Sequence, residues 1–115
     1  MKRHKVVEGG KEYDIYEYDG SKYWYLNDKL HREDGPAVEH SDGTKSWYLN
    51  GKRHREDGPA IECSNGTKYW LLNGKYHRED GPAVEYSDGR VEYWIDDKQW
   101  DHLPTQDELN VWRIL

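Results

Sequence analysis

The chain has no phenylalanine, one methionine, four prolines and a single cysteine among 115 residues. With Cys63 alone, no internal disulfide framework can form, and a reducing compartment is expected. No apolar run approaches the roughly 18 residues that a membrane helix requires, and no apolar stretch follows the basic residues of the N-terminus as a secretory signal would demand. Phosphate-cradling glycine loops are absent too, because each glycine falls in a turn with its own explanation. These absences point to a cytoplasmic protein with no membrane partner.

What is present is aromatic and charged. Hydrophobic residues make up 34% and charged residues 35%, a balance that would suggest disorder without the six tryptophans and ten tyrosines. Such rings bury large areas while keeping a polar handle, so a folded single domain with a thin core is expected. The formal charge is −6; setting aside Lys2, Arg3 and Lys5 leaves 14 basic against 23 acidic residues, or −9. An acidic body disfavours direct binding to nucleic acid and favours a protein partner with a basic surface.

A 23-residue period organises the sequence. Trp24, Trp47 and Trp70 keep this step, with Tyr93 in the fourth slot, and so do His31, His54 and His77 and Pro36, Pro59 and Pro82. A fixed period of this size marks a repeat array. The units run 13–35, 36–58, 59–81 and 82–104, after a lead-in of residues 1–12 and before a terminal segment 105–115. The first is worn in its front half, where Tyr13-Asp14-Ile15-Tyr16-Glu17 replaces the Pro-Ala-Val/Ile-Glu of later copies, and the fourth decays after Gly89.

Within a unit the turn signals are dense. Ser41-Asp42-Gly43 is a three-residue hairpin loop, and Asn50-Gly51 is a type I′ hairpin signal between the strand Thr44 to Leu49 and the return Lys52-Arg53-His54. The Arg55-Glu56-Asp57-Gly58 segment reads as a tight turn into the next unit. These loops set a register in which Glu39 faces Lys45, Glu62 faces Lys68, Glu85 faces Val91, Tyr48 faces Arg53 and Trp47 faces His54. Alternation then places Trp24, Trp47, Trp70, Tyr93, Leu26, Leu49, Leu72 and Ile95 on one face, expected to be the core. Tyr23, Tyr25, Tyr48, Tyr69 and Trp94 lie on the other face, where they form a candidate partner-binding ladder.

The fourth unit substitutes Asp96-Asp97 for Asn-Gly and Trp100 for His, then runs into a capping box, Thr105 with Glu108. A short helix follows over 105–115, with Leu109, Trp112, Val111 and Leu115 as its apolar positions. It is expected to cover the open end of the sheet.

Imidazole and carboxylate recur three residues apart at His31/Asp34, His54/Asp57 and His77/Asp80, and such a set could ligate a metal or exchange protons. A group present in every unit is more simply explained by what every unit must do. No enzyme activity, cofactor or metal is therefore expected, with metal or catalytic use of this ladder kept as an alternative. Cys63 occupies the slot of His40 and Tyr86 and reads as a filler.

The run Trp-x-x-Asn-Gly-Lys-x-His, followed by Asp-Gly-Pro-Ala, resembles MORN repeats, and more closely the divergent MORN-like arrays of bacterial, phage and large-virus proteins. The resemblance spans Tyr13 to Pro104 and implies stacked β-hairpins in an elongated twisted antiparallel sheet, which dock partners or self-associate. For a phage-encoded chain it implies an adaptor or inhibitor acting on a host or defence protein in the host cytoplasm. The chain departs from the MORN pattern in two respects: Gly43 precedes Trp47 by four residues rather than two, and Asp57-Gly58-Pro59 stands where a Gly-x-Gly follows the His. The expectation is thus a mainly β array of tandem hairpin or meander units with a short C-terminal helical cap. Protein binding is its expected function, and homo-oligomeric association is the alternative.

Overall fold

Turn chemistry sets the frame. Asn50 and Gly51 take φ of 52° and 80°, and the pairs Asn73-Gly74, Asn27-Asp28, Asp96-Asp97, Gly9-Gly10 and Asp19-Gly20 are likewise both positive. That handedness matches the twist of the flanking strands, so each pair reverses the chain into an antiparallel hairpin. In the three-residue loop, the Asp42 carboxylate accepts the Thr44 N–H at 2.8 Å and Gly43 takes φ of 95°.

The structure is a computed structural model that describes residues 1–114. One antiparallel sheet of eleven strands runs along a body measuring 49 × 32 × 18 Å. It begins with Lys2–Glu8, Lys11–Tyr18 and Ser21–Leu26, from which Lys29–Leu30 branches. A meander of short strands follows: Val38–Glu39, Lys45–Ser46, Ile61–Glu62, Lys68–Tyr69 and Val84–Glu85, then Val91–Ile95 and Lys98–Trp100. The register has the expected pairs Glu39 with Lys45, Glu62 with Lys68, Glu85 with Val91 and Tyr48 with Arg53. Extended across the sheet, it aligns Lys2, Glu17, Lys22, Glu39, Lys45, Glu62, Lys68 and Glu85 in one row of alternating charge. Opposite charges directly across a sheet favour this register over a slipped one.

The expected strand from Thr44 to Leu49 is broken at its tryptophan. Lys45–Ser46 belongs to the main sheet, Trp47 donates its N–H to the Ala60 carbonyl at 2.8 Å, and Tyr48–Leu49 leaves to pair with Lys52–Arg53 as a separate hairpin arm. The third unit repeats this, with Leu71–Leu72 and Lys75–Tyr76 as its arm. Successive arms stack through backbone bonds such as Arg32 N–H to Tyr48 O (3.1 Å) and Gly51 N–H to Leu30 O (2.8 Å).

The bend corrects the face assignment. A flat ribbon would bury one face, but the bent units bury residues from both. Ala37, Ala60, Ala83, Val38, Val84, Ser46 and Leu71 are all buried. Of the eight residues expected as core, Trp24 and Ile95 are buried, whereas Trp47, Trp70, Tyr93, Leu26, Leu49 and Leu72 are only partly so. Tyr13, Ile15, Trp24 and Ala37 form the packed cluster at the N-terminal end, joined by Val6, Leu26 and Tyr48.

Both ends depart from the repeat. Residues 2–8, read as lead-in, form a full strand that pairs along its length with Lys11–Tyr18. Its polar composition hides the alternation, in which His4, Val6 and Glu8 are the sheltered positions. At the other end Gln106–Ile114 is helical. Thr105 Oγ accepts the Glu108 N–H and Glu108 accepts the Thr105 N–H, at 3.1 and 3.0 Å. Leu109 is buried and Trp112 meets Trp100 edge-to-face at 6.1 Å, while Val111 is exposed. Leu115, expected on the same stripe, lies outside the described residues.

Candidate functional site

The histidine ladder ties units together. His31, His54 and His77 accept at Nδ1 the backbone N–H of Asn50, Asn73 and Asp96 in the following unit, at 2.9, 2.9 and 3.1 Å. The opposite ring nitrogen faces a glutamate in its own unit: Glu33 at 3.0 Å, Glu56 at 3.6 Å and Glu79 at 2.9 Å. Accepting a backbone N–H uses the Nδ1 lone pair, the one a metal would need. Asp34, Asp57 and Asp80 are not the carboxylates that meet these rings. Among the described residues no three His, Cys, Asp or Glu side chains converge in a metal-holding group.

A second row of ties lies along the opposite edge. Ser21, Thr44 and Thr67 accept at their hydroxyls the N–H of Ser41, Ser64 and Ser87, each near 3 Å. Each inter-unit boundary thus carries a hydroxyl tie on one side and an imidazole tie on the other.

The Arg-Glu-Asp-Gly segment does a job the sequence did not show. Arg32, Arg55 and Arg78 lie over the rings of Trp24, Trp47 and Trp70, with Cζ 3.7, 3.9 and 3.8 Å from the centroid. Each also donates to the carbonyl of Pro36, Pro59 or Pro82. Gly35, Gly58 and Gly81 do not take the positive φ of a turn glycine. They are needed because a Cβ there would stand 3.0, 2.7 and 2.7 Å from the arginine Cζ. The signal that could have exposed this slot is joint loss: the fourth unit has Tyr93, Asp101 and Pro104 where Trp, Arg and Gly stood.

The five residues of the expected aromatic ladder do not form one surface. Tyr23 and Tyr25 join Tyr16 and Tyr18 around a hollow of about 490 Å³, bordered by Asp14, Asp28 and Met1. Tyr16 and Tyr25 meet at 81°, with centroids 5.3 Å apart, so they form two walls at nearly a right angle. Tyr48 sits on an arm, packed toward the core cluster with Arg53 over its ring. Tyr69 and Trp94 belong to a second group with Tyr76 and Tyr86. Burial raises the Tyr69 hydroxyl pKa, and a hydrogen bond to Glu92 does the same for Tyr86. The two groups lie toward opposite ends because Val38, Ser46 and Ile61 occupy the tyrosine row between them.

Asp28 at the hollow is unusual. Its counterparts Gly51 and Gly74 take positive φ freely, whereas Asp28 holds φ of 62° with a side chain. Asp97 bears similar strain in the fourth unit, but its carboxylate accepts the Tyr76 N–H at 2.7 Å. That of Asp28 borders the tyrosines. A side chain kept in a conformation that favours glycine marks a place to look for function.

Cys63 is half-buried, and burial first, then the Asp42 charge, pushes its thiol pKa up. That is the opposite of an activated nucleophile. Comparison with protein families, curated proteins and solved structures found no match to this chain. No described helix is long and apolar enough to cross a membrane.

Proposed function

We propose that the protein is a protein–protein interaction module, an adaptor or inhibitor whose partner docks on the tyrosine hollow of the first unit. The hollow carries this proposal: four tyrosines around an open concavity, in a first unit whose front half departs from the repeat. Tyr side chains offer large rigid contact area at low conformational cost, which suits a docking hot spot. The repeated His, Arg, Thr and Gly residues are accounted for by stacking, so they need no catalytic role. The rim favours a partner with a basic surface, the complement expected of a body of this charge: Asp28 is exposed there, while Asp14 already meets Lys5 at 3.4 Å. Arg3, 5.6 Å from the Tyr16 ring centroid, illustrates a guanidinium resting on one of these rings. The MORN-like pattern supports the same proposal, since hairpin arrays of that kind serve as docking scaffolds.

Capture of partners by immobilised full chain tests this proposal. Tyr23→Ala with Tyr25→Ala is expected to abolish capture while Tyr69→Ala retains it, with thermal melting confirming that both fold. Equal loss in both variants would contradict the hollow as the seat. A second proposal, self-association, rests on the Lys2–Glu8 strand, which borders the sheet with one edge unpaired among the described residues. Light scattering across concentrations separates the two, because a monomer at every concentration removes self-association.

A further inference from the structure

Three glutamates occupy the same slot in successive units, and the chain treats the middle one differently. Glu33 receives Lys11 from the N-terminal hairpin, and Glu79 receives Arg113 from the terminal helix at 2.8 Å. Both cations come from outside the repeats. Lys11 first and then His31 hold the Glu33 carboxyl below its usual range. For Glu79, burial acts upward, but hydrogen bonds from His77 and Arg113 outweigh it and the net shift is downward. Glu56, between them, has His54 at 3.6 Å and is 83% exposed. Its neighbour Asp57 is 90% exposed.

The open position borders a groove. A cleft of about 730 Å³ lies between the segments 32–36 and 54–57, with Trp47 and Leu49 also among its lining residues. Asp34 contributes a further carboxylate. The two arginines of the cleft are already engaged, Arg32 by Glu8 and Trp24, and Arg55 by Glu62 and Trp47. The cleft therefore offers a leucine and an indole already covered on one face by Arg55, beside Glu56, whose counterparts in the flanking units each hold a cation, and Asp57, which meets Arg55 at 3.3 Å.

We propose that this groove seats an arginine or lysine side chain from a segment of a partner protein, with Glu56 and Asp57 as its acceptors. The charged head takes the place at Glu56 that Lys11 and Arg113 take at Glu33 and Glu79. Its methylene stem lies along Leu49 and Trp47, as long basic side chains do when they cover apolar surface while keeping the head in water. A basic protein side chain is the occupant because it brings a cationic head and an apolar stem together, the complement of Glu56 and Asp57 beside Leu49. This seat is separate from the tyrosine hollow, so neither proposal depends on the other.

Fluorescence anisotropy with a labelled peptide Gly-Leu-Arg-Leu-Arg-Leu-Gly tests it, against the same peptide with Glu in place of Arg, using full-length protein at low salt. The Arg peptide is expected to bind and the Glu peptide not to. Glu56→Gln with Asp57→Asn should weaken binding about fivefold, the effect of losing two exposed charge contacts. Glu56→Gln alone, which leaves the Arg55–Asp57 contact in place, should show part of the loss, and Glu79→Gln, outside the cleft, should change affinity less than about twofold. No binding of the Arg peptide at millimolar concentration would overturn the proposal, and so would equal affinity for wild type and the double variant. Displacement by Tyr23→Ala with Tyr25→Ala, with the acidic variants unaffected, would place the peptide in the tyrosine hollow and equally overturn it. Competition by free spermidine as effective as by the peptide would show a bare cation site and contradict a protein segment as occupant.

Discussion

In the third unit, Thr67 and His77 accept backbone N–H groups of the unit that follows. In the fourth unit the same two slots hold Arg90 and Trp100, side chains whose nitrogens only donate. Trp, Arg and Gly of the stacking slot vanish there too. The array stops where its acceptors stop, and the chain turns to a helix whose Trp112 packs on Trp100. The contrast shows which repeated residues exist to hold a next unit: those that disappear when there is none. It also explains why an apparent catalytic ladder is better understood as a stacking device.

The largest expected effect tests how the end is sealed. Leu109→Ala should cost about 2–4 kcal/mol, as truncation of a buried leucine does, while Val111→Ala on the exposed side should stay within about 0.5 kcal/mol. Denaturant titration measures both. Equal effects would mean that the helix does not dock through Leu109. Next comes the slot lost in the fourth unit. Gly58→Ala should destabilise by about 1–2 kcal/mol by pushing Arg55 off Trp47, forfeiting a cation–π contact and a hydrogen bond. In the background of Arg55→Ala that cost should largely disappear, because the clashing group is gone. Additive costs would break this account of the glycine.

Much of the frame was legible in the sequence because it is encoded locally. The Asn50-Gly51 turn, the Ser41-Asp42-Gly43 loop and the Thr105/Glu108 capping box each span a few residues, and their geometry follows from φ preferences and side-chain acceptors. Register followed from the turns. The face assignment failed because a two-residue alternation assumes an unbroken strand, and Trp47 breaks it to meet Ala60. The ties were hidden for another reason. His54 and Asn73 are 19 residues apart, and nothing local links an imidazole to an amide in the next unit. The tyrosine ladder was read as one surface, but its members divide between two ends and an arm, because Val38, Ser46 and Ile61 interrupt the row.

Two smaller effects sharpen the contrast between units that stack and ends that do not. Asp28→Gly should stabilise the protein by about 1 kcal/mol, since glycine relieves a left-handed backbone, and should weaken partner capture if the hollow is the docking seat. Stabilisation without any loss of capture would remove Asp28 from the site. The helix cap should respond to pH on both sides. Asp101 first and then Glu108 hold the His102 imidazole above its usual pKa, so its contribution is complete below the unfolded value and fades as pH rises through the folded one. The Thr105 N–H first and then His102 hold the Glu108 carboxyl low. Its contribution is complete above the unfolded value and fades as pH falls through the folded one. Helix content by circular dichroism should therefore be greatest between these limits, and His102→Gln should remove the alkaline limb and lessen the acid one, leaving there the part due to the Thr105 N–H.

The ties themselves are tested most directly by hydrogen exchange at one amide. In His54→Ala, the Asn73 N–H loses its acceptor, and its exchange should accelerate by about fivefold to tenfold, the worth of about 1 kcal/mol of hydrogen bonding. Asn50, which donates to His31, should remain as in the wild type. Unchanged protection of Asn73 in the variant would contradict the claim that the histidines hold successive units together.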